Sequence, residues 1–304
     1  MMAEASIHSQ TRIGPVSLAV ADLSRQIDFY QGILGLHLHR RDGATASLGA
    51  GGGDLLHLVE VPRARRVRGT TGLYHFAVLV PARDDLARAI ARLIAHRIPN
   101  APTDHVMTET TYLEDPEGNG IELYVDTPED GTFGFESGSF VARDAEGRPR
   151  SGRDPLDLEV LFSTLPPGAS IEDPLPGATR MGHVHLHVSD LRAAFSFYRD
   201  ILGFEDRGYS AELGMAFVSA GGYHHHIGVN TWLGEGAPLP APDSLGLRHF
   251  SVLLPSADEL AAIEARLARK GVPIQPAEGG LLVRDPSGNG VLLRAADEGN
   301  GSPR

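Results

Sequence analysis

The chain has 304 residues, of which 41% are hydrophobic and 22% charged; its net charge is −12 and it has no cysteine. The length suits two domains with a sizeable core each, and the acidic balance argues against nucleic acid or anionic membranes as partners. Without cysteine there is no disulfide and no thiolate, so any metal must be held by His, Asp or Glu.

The opening stretch "MMAEASIHSQTR" lacks the apolar core of a secretory signal. No run approaches the ~18 apolar residues of a membrane span, and a cysteine-free chain suits a reducing compartment. A cytoplasmic location is expected. From Val16 to Leu36, "VSLAVADLSRQIDFYQGILGL" reads as a strand, a capping Asp22, and a helix with apolar residues three and four apart. Gly35 suits the left-handed position that ends a helix. "LYHFAVLVPARDDL" (Leu73 to Leu86) opens a second strand and helix, and "DPEGNGIELY" (Asp115 to Tyr124) is turn chemistry followed by an apolar strand.

A stretch rich in Gly, Pro and charge follows, with one short helix expected near Leu156–Leu165. The first pattern then returns. "VHLHVSDLRAAFSFYRDILGF" (Val184 to Phe204) aligns Asp190 with Asp22 and Phe197-Tyr198 with Phe29-Tyr30; "LRHFSVLLPSADEL" (Leu247 to Leu260) and "DPSGNGVLLR" (Asp285 to Arg294) repeat the second pattern. The chain therefore reads as four βαβββ modules: Ile13 to Val61, Gly72 to Asp126, Met181 to Trp232, and Gly246 to Ala295. We expect an N-terminal domain over 10–127 (modules 1 and 2), a linker over 128–179, and a C-terminal domain over 180–297 (modules 3 and 4).

In "MGHVHLHVSDL", His183, His185 and His187 alternate with apolar residues. On a strand all three share one face, as they would in a metal or proton-transfer site or, equally, on a solvent-facing polar edge. Alone, His75 and His249 each read as core histidines. Glu122 lies in an otherwise apolar strand, where a buried carboxylate needs a partner.

Four such modules, with "GHVHLHVSDL…FYRDILGF" and "DPEGNGIELY", resemble the vicinal oxygen chelate superfamily, which includes glyoxalase I, antibiotic resistance proteins and extradiol dioxygenases. "TGLYHFAVLVP", "DPEGNGIELYVDTP" and "SAGGYHHHIGVNTW" add a similarity to the two-domain catechol 2,3-dioxygenases. The resemblance covers nearly the whole chain. It implies an α+β fold in which modules pair into two cupped mixed sheets, with metal ligands on first and last strands. First-strand positions hold Pro15, His75, His183 and His249; last-strand positions hold Glu122 and Leu292, with His57 in module 1. An extradiol iron site uses two histidines and one carboxylate, leaving positions open for substrate. Pairing modules 2 and 3 supplies His75, Glu122 and His183. Pairing modules 3 and 4 would supply His183 and the alternative ligand His249, but with Leu292 in the carboxylate place. The first arrangement is expected, leaving modules 1 and 4 as a structural cup.

The resemblance further implies His225 as acid–base, with His185 and Tyr112 as contacts to the bound diol and His105 near a supporting position. By alternation His224 and His226 would point away from His225. The implied activity is that of an Fe(II)-dependent extradiol catechol 2,3-dioxygenase, taking catechol or a substituted catechol and O2 to a 2-hydroxymuconic semialdehyde in aromatic catabolism. Mn(II) accepts the same ligands, and the resemblance leaves room for a homo-oligomer. Two alternatives stand beside it. A glyoxalase-like metal-dependent isomerase or lyase usually has two carboxylate ligands. A non-catalytic aromatic-compound-binding resistance protein lacks the triad.

Overall fold

The computed structural model describes residues 6–277 and 279–296. The expected boundary at 297 and the first five residues of the opening stretch lie outside them.

Each module has the βαβββ order. Module 1 comprises β1 (Arg12–Val20), α1 (Leu23–Gly32), β2 (His37–Asp42), β3 (Thr45–Gly49) and β4 (Asp54–Glu60). Module 2 comprises β5 (Gly72–Leu79), α2 (Arg83–Ala95), β6 (Ala101–Asp104), β7 (Thr108–Glu114) and β8 (Gly120–Asp126). The connection holds β9 (Gly131–Glu136), β10 (Ser139–Asp144), β11 (Pro149–Arg150), β12 (Asp154–Pro155) and α3 (Leu158–Phe162). Module 3 comprises β13 (Arg180–His187), α4 (Leu191–Ser196) continuing as a π-helical turn (Phe197–Ile201), β14 (Glu205–Ser210), β15 (Met215–Ser219) and β16 (Ile227–Asn230). Module 4 comprises β17 (Gly246–Leu254), α5 (Ala257–Arg269), β18 (Gln275–Ala277), β19 (Gly280–Arg284) and β20 (Gly290–Ala295).

The strand order joins module 2 to module 3, and module 1 to module 4. One sheet runs β12-β6-β7-β8-β5-β13-β16-β15-β14 and the other β18-β19-β20-β17-β1-β4-β3-β2. Each seam is an antiparallel pair of first strands, β5 with β13 and β1 with β17, flanked by parallel last strands. The first strands are therefore central, and β1 and β13 are almost continuously buried, as in "GPVSLAV" of β1.

The repeated motifs act as expected locally. Asp22 and Asp190 accept hydrogen bonds from the backbone N–H of Arg25 and Ala193 and so cap α1 and α4. Gly35 and Gly203 sit at φ 84° and 88°, which costs glycine little. In both turns an aspartate is the hub: Asp115 accepts from the N–H groups of Glu117 and Asn119, and Asp285 from those of Ser287 and Asn289.

The motifs also interlock between sheets. The buried Tyr30 hydroxyl of module 1 donates to Asp115 of module 2 at 2.8 Å, and Tyr198 of module 3 donates to Asp285 of module 4 at 3.0 Å. Each bond reaches a carboxylate across the two sheets, a contact worth about 1.5–3 kcal/mol. One continuous hydrophobic cluster draws on all four modules.

The connection is more structured than its composition suggests. Its helix is short, Leu158–Phe162, within the expected stretch. Strands β9 to β11 form a small sheet of their own, and β12 extends the β5–β13 sheet beside β6. Phe135 of β9 packs on the bare backbone of Gly208, where any Cβ would collide with its ring. No helix among the described residues is long and apolar enough to cross a membrane.

Candidate active site and metal centre

The seam between modules 2 and 3 brings three donors to one point. His183 Nε2 lies 3.0 Å and His75 Nε2 3.1 Å from the same Glu122 oxygen, and the two nitrogens are 3.3 Å apart. Register explains the meeting. His75 pairs with His185 across the seam, Glu122 stands beside Ala77 of β5 on the parallel last strand, and His183 is two residues from His185 on the same face. All three are buried, at 2–5% exposure, so solvent does not share their charge.

The protonation states suit a cation. Burial opposes ionisation of Glu122, but His183 and His75 outweigh it and hold its carboxyl well below the usual range. His183 is pushed down to about 4, by burial first. At neutral pH the group is an anionic carboxylate facing neutral His183. The Nδ1 atoms of both His75 and His183 are buried without a hydrogen-bond partner in the protein. Without an ion the acceptor-only carboxylate draws the imidazole protons to Nε2, and an ion between Nε2 and carboxylate would displace them to Nδ1. Two imidazoles and one carboxylate on one side of a point form a donor set suited to iron or manganese with open positions. Among the described residues this is the one group of three such donors within 4.8 Å of one another.

These residues line a cavity of about 580 Å³. His185 is 5% exposed and its Nε2 has no partner. Its ring stands against bare Gly228 backbone, where a Cβ would lie 3.0 Å from the ring. The His225 ring is held between Phe217, stacked at 4.4 Å, and His183 at 4.2 Å. Burial first, and then the neighbouring rings, push both His185 and His225 well below the ordinary histidine value, so both are neutral bases. Tyr112 pairs across strands with Glu122. Burial and the Glu122 charge hold it as a neutral phenol. His105 lies 2.9 Å from the Tyr112 hydroxyl and 2.5 Å from the Gly152 carbonyl. A carbonyl only accepts, so His105 Nδ1 carries the proton and, in the neutral ring, Nε2 accepts from Tyr112.

Other expected residues lie elsewhere. His249 is in the second sheet, paired with Ser17, outside the donor cluster. His57 also belongs there and bonds Asp54, which His39 contacts from the other side. His187 Nδ1 meets Asn230 Oδ1 at 2.8 Å, a structural role.

One expectation is overturned. His224 does not point away from His225: their Nδ1 atoms are 2.8 Å apart, and both rings line the cavity. Alternation fails because strand β16 starts only at Ile227; the histidines occupy the loop before it. Tyr74 was missed for a related reason. Its neighbour His75 faces the cavity, so alternation would send Tyr74 outward. Pairing jumps from His185↔His75 to Leu186↔Leu73, however, and leaves Tyr74 as an unpaired bulge residue. It lines the cavity and packs edge-on to His185 and Trp232. Phe133 and Phe140, from the connection, close another wall. No local signal in their sequence marks them, since they arrive by long-range folding of β9 and β10.

The family model described as Glyoxalase/Bleomycin resistance protein/Dioxygenase superfamily matches residues 12–123 and 180–293. A catechol-2,3-dioxygenase from Bacillus subtilis is 40% identical over 284 residues, covering 92% of this chain and 96% of that protein. Biphenyl-2,3-diol 1,2-dioxygenase 3 from Rhodococcus globerulus is 30% identical over 124 residues, covering 38% of this chain and 62% of that protein. Among solved structures, glyoxalase I from Zea mays aligns with a TM-score of 0.54 at 17% identity over 93% of this chain and 92% of its own, a likeness of fold.

Proposed function

Because this chain belongs to the glyoxalase/bleomycin resistance protein/dioxygenase superfamily, we propose that it is an Fe(II)-dependent extradiol dioxygenase that cleaves catechol or a substituted catechol with O2. The observation that carries this reading is the convergence of His75, His183 and Glu122 on one buried point inside an aromatic-walled cavity. The relative at 40% identity over nearly the whole chain supports it. The single carboxylate of the cluster favours it over a glyoxalase-type ligand set.

His75, Glu122 and His183 would hold the metal, whose chemistry is to couple electron transfer from the diol to dioxygen. Mn(II) is accommodated by the same donors. The remaining steps belong to the protein. The cavity admits a planar diol against Tyr74, Phe217 and Trp232. His225, a neutral base, takes a hydroxyl proton from the diol and returns it as the ring opens. The neutral His185 ring hydrogen-bonds a diol oxygen. With its proton committed to His105, Tyr112 presents oxygen lone pairs and accepts a hydrogen bond from the second hydroxyl. Both atoms of O2 enter the 2-hydroxymuconic semialdehyde, so no external reductant is required.

The test is anaerobic loading with Fe(II), followed by catechol and air. A yellow ring-opened product is expected from the wild-type protein. Glu122→Gln should bind iron weakly and give no product. Iron-loaded wild type that leaves catechol intact, or Glu122→Gln with full iron and turnover, would overturn the assignment.

A further inference from the structure

His225 is connected to something outside the cavity. Its Nδ1 faces His224 Nδ1 at 2.8 Å, so one proton lies between the two rings. On the far side of His224, Nε2 is 3.3 Å from the Asp126 carboxylate, close enough for attraction though not aligned as a hydrogen bond. Asp126 is anchored in turn. The Tyr223 hydroxyl donates to it at 3.0 Å, and that hydroxyl is 2.6 Å from the hydroxyl of the buried Tyr124. Phe217 and His183 clamp the faces of His225, so its direction is set within the ring plane by this one bond.

We propose that Asp126 and His224 are positioning residues that fix the tautomer of His225, leaving its Nε2 lone pair toward the substrate. This rests on the reading of the cavity as a ring-cleavage site. The logic follows the partners in order. The Asp126 carboxylate attracts the His224 proton to Nε2. A neutral His224 then has a bare Nδ1, which can only accept. His225 must donate from its own Nδ1, and its Nε2 keeps the lone pair. When His225 takes the diol proton on Nε2, the bond to His224 remains intact and the Asp126 charge faces the new imidazolium through it. A histidine base in the wrong tautomer cannot take the proton, as in the serine-protease triad.

The experiment has two independent readouts. The first is ¹H–¹⁵N correlation of the histidine rings in the full-length, metal-free protein. The Nδ1–H tautomer is expected for His225 in the wild type, shifting toward Nε2–H in His224→Leu. The second is steady-state turnover of the iron-loaded enzyme. His224→Leu should lose about 10- to 100-fold in kcat with KM and iron content near wild type. His224→Asn, whose side-chain oxygen can accept in place of Nδ1, should recover most of it. An Nε2–H tautomer in the wild type, or a tautomer unchanged in His224→Leu, overturns the proposal. So does equal loss in the Leu and Asn variants, which marks a packing role. If the wild type does not cleave catechols, the functional reading fails, and the ring spectra still decide the tautomer.

Discussion

Replacing Gly228 by alanine is the smallest change that addresses how His185 is held. A Cβ at that position would lie 3.0, 3.1 and 3.2 Å from three atoms of the His185 ring. Comfortable carbon contacts fall at about 3.5–4.0 Å, so ring or strand must yield by about half an ångström. The ring has little room: Tyr74, His75 and Trp232 stand 5.2–5.3 Å away between ring centres. Overpacking of this kind costs about 1–3 kcal/mol. A functional group tolerates about 0.5 Å of displacement, and 1.4 kcal/mol is about tenfold in rate. Gly228→Ala should therefore lose about tenfold or more in kcat/KM for catechol and lower Tm, with iron content unchanged, since the methyl does not touch the three donors. Gly32→Ala is the control. Its Cβ meets nothing within 4 Å, and it should gain up to about 1 kcal/mol. Wild-type turnover in Gly228→Ala would remove His185 from the reaction. Iron loss would show that the strand, not the ring, moved.

Three further outcomes follow from the same geometry. His249→Ala should retain one iron per chain, because His249 lies in the other sheet; metal analysis checks this, and iron loss would relocate the site. Tyr30→Phe should destabilise the fold by about 1.5–3 kcal/mol in urea melts, since it removes a buried hydrogen bond to the Asp115 carboxylate. For Asp54, the His57 hydrogen bond and then His39, working against burial, lower the carboxyl from 3.8 to about 2. A depressed folded value means stability that is fully present above pH 3.8 and lost as pH falls toward 2. Half-exposed and screened, it is worth about 1 kcal/mol. Asp54→Asn should cost that much at pH 7, and its urea midpoint should converge with the wild type on acidification.

Much of this architecture was legible because the repeats carry their own punctuation. Asp22, Asp190, Gly35 and the two Asp-Pro turns specify local geometry that needs no distant partner. The joining of modules 2 and 3 was legible through the resemblance: with ligands expected on first and last strands, Pro15 and Leu292 leave neither half of the chain with a full donor set, whereas modules 2 and 3 together have one. What stayed hidden depends on departures from regular structure or on long-range packing. The bulge at Tyr74 breaks the alternation by which a strand is read. The loop at His224 resembles a strand in sequence but is not extended. The phenylalanines of β9 and β10 reach the cavity by the packing of that small sheet on module 3, where Phe135 sits against Gly208.

The sharing of each sheet between the two halves of the chain sets an order of events during synthesis. When the first half has left the ribosome, at about 5–20 residues per second, it carries His75 and Glu122 but has no seam partner for β5. The third donor, His183, is 108 residues beyond His75, and β17, which completes the other seam, comes later still. On the reading proposed above, iron cannot be captured before module 3 has emerged. A prematurely terminated product would hold two donors and an unpaired central strand. It would be recognised by its exposed edge rather than by any residual activity, so the same topology that assembles the metal centre also withholds it from incomplete copies.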